Sequence, residues 1–350
     1  MKRLWTLFAA ACVLASLLAA CGPTAASSST GSTSSTPTIK KGPYTIGLSV
    51  FFQGNSWQAE NTTLLEQACK NYGAGVIKSC FVENANSSTT QQIAQIHDMI
   101  NKKVDAILLD ANSETGLNGV VQQALDAGIP VINYDSLVTG NATVKINTNQ
   151  EQWGQVTAQW LVQQLHGQGN IVVLNGQAGS PVNNARYVDA QKIFAQNKGI
   201  HVLNVAYDNW DQATAQSSVS QMLGAYPKID GVWSQGGAMT AGAMLEFQKA
   251  GRPLVPMTGE AYNGFLRMWS QNLSKGFTSI APGQPNYLIT LSLDAAVHIL
   301  QGKKVPATVN VPLPVITDQT VKQYYRADEP DSYWVLDHIS QADEAKLLGN

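Results

Sequence analysis

Residues 106–135, AILLDANSETGLNGVVQQALDAGIPVINYD, form the clearest strand–helix–strand pattern in the chain. Two short apolar runs, Ala106–Leu109 and Val131–Tyr134, flank an amphipathic stretch at Thr115–Ala127. Gly128 directly after that stretch, and Pro130 two residues later, are typical of the end of a helix. The pattern predicts a βαβ unit, in which a helix that packs on the sheet joins two parallel strands.

The same alternation continues on both sides of this unit. Further strand candidates are Tyr44–Val50, Val76–Val82, Thr143–Ile146, Ile171–Leu174, His201–Ala206, Gly231–Ser234, Val255–Thr258 and Gly276–Ile280. Further helix candidates are Gln58–Tyr72, Thr90–Lys102, Gln152–Leu165, Asn184–Asn197, Thr214–Gly224, Met239–Ala250, Tyr262–Gln271 and Tyr287–Gln301. Regular strand–helix alternation favours parallel sheets with helices on both faces.

The alternation occurs twice, and this predicts an α/β fold of two doubly wound parallel-sheet lobes. We expect an N-terminal lobe of residues 43–146 plus 281–310, and a C-terminal lobe and tail of residues 147–280 plus 311–350. The predicted hinge consists of three crossing segments, near Ile146–Asn149, Ile280–Gln284 and Val309–Val315. Such a hinge would let the lobes close on a ligand, which binds beyond the carboxyl ends of the strands.

The N-terminus carries the pattern of an export signal. Lys2 and Arg3 precede the apolar stretch Leu4–Leu18, and Leu18-Ala19-Ala20-Cys21 has the form of a lipoprotein cleavage site. We expect a signal peptide at residues 1–20, lipid attachment at Cys21 and a Ser/Thr-rich tether over residues 21–42. An ordinary signal followed by an unmodified cysteine is the alternative. The protein is therefore expected outside the cytoplasm, anchored by lipid to the outer face of the cell membrane or periplasmic.

Charge and cysteine content agree with export. Without Lys2 and Arg3 the chain has 20 basic and 24 acidic residues, a net charge of −4 with no basic run, so nucleic acid is not an expected partner. Cys69 and Cys80 are the cysteines left after the signal and the lipidation site, and an oxidising compartment favours a disulfide between them. Two buried free thiols are the alternative. A metal site is less favoured, because no histidine lies near them at ligand spacing.

Polar and aromatic residues follow the predicted strands or open the helices beyond them. Carboxylates accept hydrogen bonds from hydroxyl groups, amides donate and accept, and flat indole rings cover the C–H face of a sugar. This chemistry suits a hydroxylated ligand and predicts neither a cofactor nor a metal. The candidate ligand-binding residues are Asn55, Trp57, Asp110, Asn112, Asp135, Asn149, Asn184, Trp210, Gln235, Glu260 and Gln284.

Several stretches, in a fixed order, carry a resemblance to a known family. They are Asn55-Ser56-Trp57-Gln58, Gly128-Ile129-Pro130-Val131-Ile132 leading into Asp135, Asn184-Ala185-Arg186-Tyr187-Val188-Asp189-Ala190, Asp230-Gly231-Val232-Trp233-Ser234-Gln235, Ala238-Met239-Thr240-Ala241-Gly242-Ala243 and Gly259-Glu260. Over nearly all of residues 44–316 the chain resembles the periplasmic sugar-binding proteins of ABC importers, of the ribose-binding type. The resemblance implies a monomeric solute-binding protein that delivers a sugar or polyol to a membrane permease.

The resemblance also implies roles for individual residues. Asp135 and Glu260 match the hydroxyl-accepting acids of the family, and Trp57 and Trp210 match aromatics on opposite faces of the sugar. Ribose binders carry arginines where this chain has Ser136 and Asn184, and an asparagine is common where it has Gly236. Because an arginine supplies forked donors that pin ring hydroxyls, their loss weakens the case for ribose itself. Arg186 is expected to tie its helix to neighbouring structure.

Two other classes of function are the alternatives to a transport role. An exported hydrolase would need a nucleophile elbow, a zinc helix or a paired acid and base; the first two motifs are absent, although Asp135 and Glu260 could form a glycosidase-like pair. A sensor that presents a furanose-like autoinducer or a sugar to a membrane receptor would share the fold. The sequence features do not separate this role from import.

Overall fold

The computed structural model describes residues 40–349. The predicted signal peptide, the lipidation site Cys21 and the tether as far as residue 39 lie outside the described residues. Within residues 40–349, no helix combines the length and the apolar character needed to cross a bilayer.

The first lobe is built on a six-stranded sheet in which every pairing is parallel. Its strands, in spatial order, are β11 (Thr308–Asn310), β5 (Val144–Asn147), β4 (Val131–Tyr134), β3 (Ala106–Asp110), β1 (Tyr44–Val50) and β2 (Ile77–Asn84). Its helices are α1 (Ser56–Tyr72), α2 (Thr89–Asn101), α3 (Asn118–Asp126) and α9 (Leu288–Leu300). Because α1 packs with α9 and α2 packs with α3, both faces of the sheet are covered, and β3 and β4 are buried along their whole length.

The second lobe repeats this plan. Its strands, in spatial order, are β12 (Val315–Thr317), β10 (Ser279–Pro282), β9 (Met257–Thr258), β8 (Gly231–Ser234), β6 (Gln168–Asn175) and β7 (Gly199–Tyr207). Its helices are α4 (Gln150–Gln164), α5 (Pro181–Gln196), α6 (Gln212–Ala225), α7 (Gly237–Lys249) and α8 (Asn263–Asn272). The edge strand β12 is antiparallel to β10, whereas the other pairings are parallel. The predicted fold of two α/β lobes with parallel-sheet cores is therefore confirmed.

The helices begin and end at residues that the sequence marks. Asn55 caps α1 by accepting a hydrogen bond from the backbone N–H of Gln58, which satisfies a donor that the helix cannot pair internally. Gly128 follows α3 with a φ of +74°, a conformation that only glycine adopts without strain. The predicted strand Gly276–Ile280 begins later, at Ser279. The reason is that a 3₁₀ turn at Leu273–Lys275 ends at Gly276 with a φ of +85°.

The chain passes between the two sheets at three places: after β5, after β10 and after β11. The boundary predicted at residue 281 falls inside β10, so strand pairing places Ala281 and Pro282 with the second sheet. The tail also departs from the prediction. After α10 (Val321–Tyr324), which packs on α8, the chain returns to the first lobe, where α11 (Gln341–Leu348) contacts β11.

The structure joins Cys69, near the end of α1, to Cys80 in β2 through their sulfur atoms. Their Cα atoms lie 6.4 Å apart, within the range that a disulfide spans. A disulfide at this position would tie the first helix to the edge strand beside it.

Candidate ligand-binding site

A pocket of about 370 Å³, including its opening to solvent, lies where the carboxyl ends of the two sheets face each other. Both lobes, the second crossing segment and the C-terminal tail contribute to its walls. The lining residues are Phe51, Asn55, Trp57, Gln58, Asp135, Val182, Arg186, Trp210, Glu260, Gln284 and Trp334. The position agrees with the rule that ligands of parallel α/β sheets bind beyond the strand ends.

Trp57 and Trp210 bring one indole from each lobe. Trp57 lies in the first turn of α1 and donates its Nε1–H to the backbone carbonyl of Gln284 at 3.1 Å. Trp210 has a φ of +55°, and its ring lies against two glycines. A Cβ atom at Gly176 would lie 2.1 Å from Trp210 Cε2, and one at Gly236 would lie 2.8 Å from Trp210 Cδ1. The glycine at position 236 therefore leaves room for the indole.

Asp135 and Gln284 form the polar side of the pocket. Gln284 Nε2 donates to Asp135 Oδ1 at 2.5 Å and to Asn147 Oδ1 at 3.0 Å. Gln284 Oε1 accepts from Thr148 at 2.5 Å and from Gln150 Nε2 at 3.0 Å. Because Gln284 lies in the second crossing segment, one amide connects an acid of the first lobe with residues at the start of the second.

Arg186 and Glu260 form a buried ion pair, with Nη2 and Oε1 3.0 Å apart. Arg186 Nε also donates to Gln150 Oε1 at 2.7 Å, and Nη1 donates to the carbonyl of Gln235 at 3.0 Å. The guanidinium carbon lies 4.3 Å from the centre of the Trp153 ring. Arg186 thus ties its helix to neighbouring structure, as expected, and also lines the pocket.

Burial governs the charge of the acids here. It raises the pKa of Glu260 to about 7, and the adjacent Arg186 partly offsets that rise. Burial likewise raises the pKa of Asp135, and the positive charge of Arg186 partly offsets that rise. The pKa of Asp110 is raised well above its ordinary value by burial and then by the neighbouring Asp135. Because Asp135 and Glu260 hold their protons more tightly than free carboxyl groups, they can donate as well as accept hydrogen bonds.

The structure brings six of the predicted ligand-binding residues to this pocket. They are Asn55, Trp57, Asp135, Trp210, Glu260 and Gln284. Trp57, Asp135, Trp210 and Glu260, the residues on which the sugar-binding hypothesis depends, therefore face one common gap.

Two predicted residues lie behind the pocket wall. Asp110 is fully buried and accepts hydrogen bonds from Gln58 Nε2 at 2.7 Å and from the backbone N–H of Ser136 at 3.3 Å. Gln235 is also fully buried and donates to Asn175 and to Asn183. Both side chains position residues around the pocket, and neither lines it.

Three predicted asparagines are used elsewhere. Asn112 donates to the carbonyl of Ser87, in the loop before α2, and to Thr89, the first residue of α2. Asn149 is exposed and caps α4. Asn184 donates to a backbone carbonyl of the loop before its own helix, at 3.4 Å. Each follows a strand or opens a helix, so local sequence could not separate a capping or loop role from a binding role.

Five lining residues were not among the predicted set: Phe51, Gln58, Val182, Arg186 and Trp334. Gln58 directly follows Trp57, and its Oε1 has no hydrogen-bond partner among residues 40–349, so it could accept from a hydroxyl. Trp334 comes from the tail, and no local pattern relates it to α1. Only the folded chain brings it to the pocket.

The sequence profile of the periplasmic binding protein domain matches residues 46–304. The ribose import binding protein of Bacillus subtilis (strain 168) is 23% identical over 280 residues, which cover 80% of this chain and 89% of that protein. The xylitol-binding protein of Mycolicibacterium smegmatis is 29% identical over 180 residues, about half of either chain. These relatives are binding proteins and not enzymes, as expected for this chain.

A solved structure supports the same family. The ABC transporter solute binding protein of Thermobispora bispora superposes with a TM-score of 0.79 at 28% identity, covering 88% of this chain and 95% of that one. A family of periplasmic binding proteins implies a location outside the cytoplasm. The match over most of the chain, the two-lobed fold and the pocket between the lobes together show that this protein belongs to the periplasmic binding protein family.

Proposed function

We propose that this protein is an extracytoplasmic solute-binding lipoprotein that captures a neutral sugar or polyol and delivers it to an ABC import permease. The observation that carries the proposal is the pairing of Trp57 and Trp210, from different lobes, around the acids Asp135 and Glu260. Indole faces cover the C–H side of a sugar, while carboxylates and amides take its hydroxyls.

The relatives support this ligand class. One is named for ribose import and another for xylitol binding, a sugar and a polyol. This chain carries Ser136 and Asn184 where ribose binders have arginines, so we favour a polyol or a sugar other than ribose.

Closure of the two lobes is the proposed mechanism. The lobes would comprise residues 43–146 with 283–310, and residues 147–282 with 311 onward, the tail excepted. A ligand held from both sides binds the closed state more tightly than the open one, and that difference shifts the equilibrium. Gln284 lies in the second crossing segment and donates a hydrogen bond to Asp135. Ligand binding at Asp135 would therefore act directly on the hinge.

We also propose that Cys21 is lipidated after removal of residues 1–20, and that Cys69 and Cys80 form a disulfide in the exported protein. An exported chain with a Ser/Thr-rich tether suits both modifications. In fractionated cells, the Cys21→Ser variant should move from the membrane to the soluble fraction. A variant that stays with the membrane would contradict the lipid anchor.

A thermal-shift panel of monosaccharides and polyols tests the ligand class. A ligand that binds the folded state alone stabilises it by RT ln(1 + [L]/Kd), about 2.7 kcal/mol at a hundredfold excess over Kd. We expect at least one member to raise Tm, and Asp135→Ala and Trp210→Ala each to weaken its binding about tenfold in calorimetry. Unchanged binding by both variants would refute this site.

Uptake of that ligand by intact cells tests the transport role. Deleting this gene should abolish high-affinity uptake, because the permease would receive no loaded protein. Unchanged uptake together with loss of a ligand-induced transcriptional response would instead indicate a sensor.

A further inference from the structure

The C-terminal tail forms a strap, residues 326–336, that starts on the second lobe. Asn263, at the start of α8, is fully buried, and its Nδ2 donates to the backbone carbonyls of Arg326 at 2.8 Å and Glu329 at 3.1 Å. Its backbone N–H donates to the carbonyl of Tyr333 at 2.8 Å. Tyr262, the residue before α8, provides no side-chain cap. The strap therefore supplies acceptors that this helix end requires.

The strap then reaches the first lobe. The backbone N–H of Trp334 donates to Glu60 Oε2 at 2.9 Å, and the indole Nε1–H donates to Ser56 Oγ at 3.1 Å. Two residues on, the carbonyl of Leu336 accepts from the backbone N–H of Asn286 at 2.8 Å, beside the second crossing segment. Trp334 is thus held by the first turns of α1, the helix that also carries Trp57.

The side chain of Trp334 forms part of the pocket lining. Its side chain is 2% exposed and lines the pocket together with Trp57 and Trp210. The ring packs edge to face on Tyr262, with centroids 5.4 Å apart. Its polar edge is satisfied by Ser56, so the rest of the indole offers an apolar surface.

We propose that Trp334 is a ligand-contacting residue of this site, and that Glu60 is the positioning residue that holds it there. The inference rests on the proposed function for the identity of the ligand, and on the contacts of the strap for the geometry. A third indole from the tail narrows the pocket on the α1 side.

Glu60 holds the strap as a hydrogen-bond acceptor. Burial raises its pKa to about 8, against the lowering effect of the Trp334 N–H, so its contact does not depend on a negative charge. A glutamine keeps a carbonyl oxygen at the same distance from the backbone, whereas an alanine removes the acceptor. Glu60→Gln is therefore the matched control for Glu60→Ala.

The test combines a ligand-free measurement with a titration. Hydrogen–deuterium exchange of the strap should become about tenfold faster in Glu60→Ala than in the wild type, and should stay close to wild type in Glu60→Gln. Calorimetry with xylitol, D-ribose and myo-inositol should show about tenfold weaker binding by Trp334→Ala, for each probe that the wild type binds. Trp334→Phe should retain most of the affinity, and Trp160→Ala, in the last turns of α4 and outside the pocket lining, should leave it unchanged.

Several results would overturn the proposal. If Trp334→Ala binds each probe with an affinity within twofold of wild type, Trp334 does not contact the ligand. If hydrogen exchange of the strap is unchanged in Glu60→Ala, Glu60 does not position Trp334. If Trp334→Ala does not fold, the ligand affinity of Glu60→Ala tests the contact instead. We expect Glu60→Ala to bind the ligand more weakly than wild type and Glu60→Gln to bind it as wild type does. If the wild type binds none of the three probes, the panel member that raises Tm takes their place in the titration, and the exchange measurement still decides whether Glu60 holds the strap.

Discussion

Trp210 occupies its place because two neighbouring positions carry no side chain. Gly176 and Gly236 come from different strand ends, and a Cβ atom on either would overlap the indole. The ring therefore depends on small residues that are distant in sequence. The sequence suggested that Trp210 binds ligand, because it lies in a polar loop, but not which residues make room for it.

We expect Gly176→Ala to weaken ligand binding about tenfold, because the new methyl group would displace the Trp210 ring. The near-ultraviolet circular dichroism of the free protein should change as well. Gly224→Ala is the control, since a Cβ there meets no described atom within 4 Å. Equal affinities of the two variants would show that the position of Trp210 does not matter to binding.

Glu260 should make the stability of the free protein depend on pH. Its pKa rises from 4.5 in the unfolded chain to about 7 in the fold, so the folded state holds the proton more tightly. The stability from this group is fully present below pH 4.5 and is lost as pH rises to about 7. Glu260→Gln should therefore show a smaller loss of stability between pH 4.5 and 7 in urea unfolding. The exposed variant Glu66→Gln is the control, and identical pH profiles for wild type and Glu260→Gln would contradict the assignment.

Most of the strands and helices could be predicted from local pattern, because each buries one apolar face and is bounded by glycine, proline or a capping residue. Strands β1, β4 and β8 match their predicted bounds, and β4 and β8 are followed directly by the polar residues Asp135 and Gln235. The strap could not be predicted. Its contacts with Ser56 and Glu60 join residues more than 270 positions apart, and it has no periodic pattern.

The proposed disulfide between Cys69 and Cys80 would close a short loop between α1 and β2. Replacing both residues by serine should lower the free energy of unfolding by about 2–3 kcal/mol, because the unfolded chain gains conformational freedom. Ligand affinity should not change, since neither residue lines the pocket. Urea unfolding and calorimetry measure the two effects. A reductant that leaves wild-type stability unchanged would argue against the disulfide.

Each lobe contributes an indole ring and a carboxyl group to the pocket, and these groups lie on opposite sides of one gap. Trp57 and Asp135 belong to the first sheet and its helices, whereas Trp210, Arg186 and Glu260 belong to the second. The sequence predicted this division because it repeats the same strand–helix pattern twice. It did not predict the guanidinium of Arg186 in the pocket, since an arginine inside a helix is more often structural.

The most direct test of ligand binding between the two lobes is a crystal structure of the protein with the sugar or polyol that raises Tm most. We predict that the ligand lies between the Trp57 and Trp210 rings, with hydroxyl groups within hydrogen-bond distance of Asp135 and Glu260. Electron density for the ligand at another place, or a ligand that contacts one lobe only, would contradict the account.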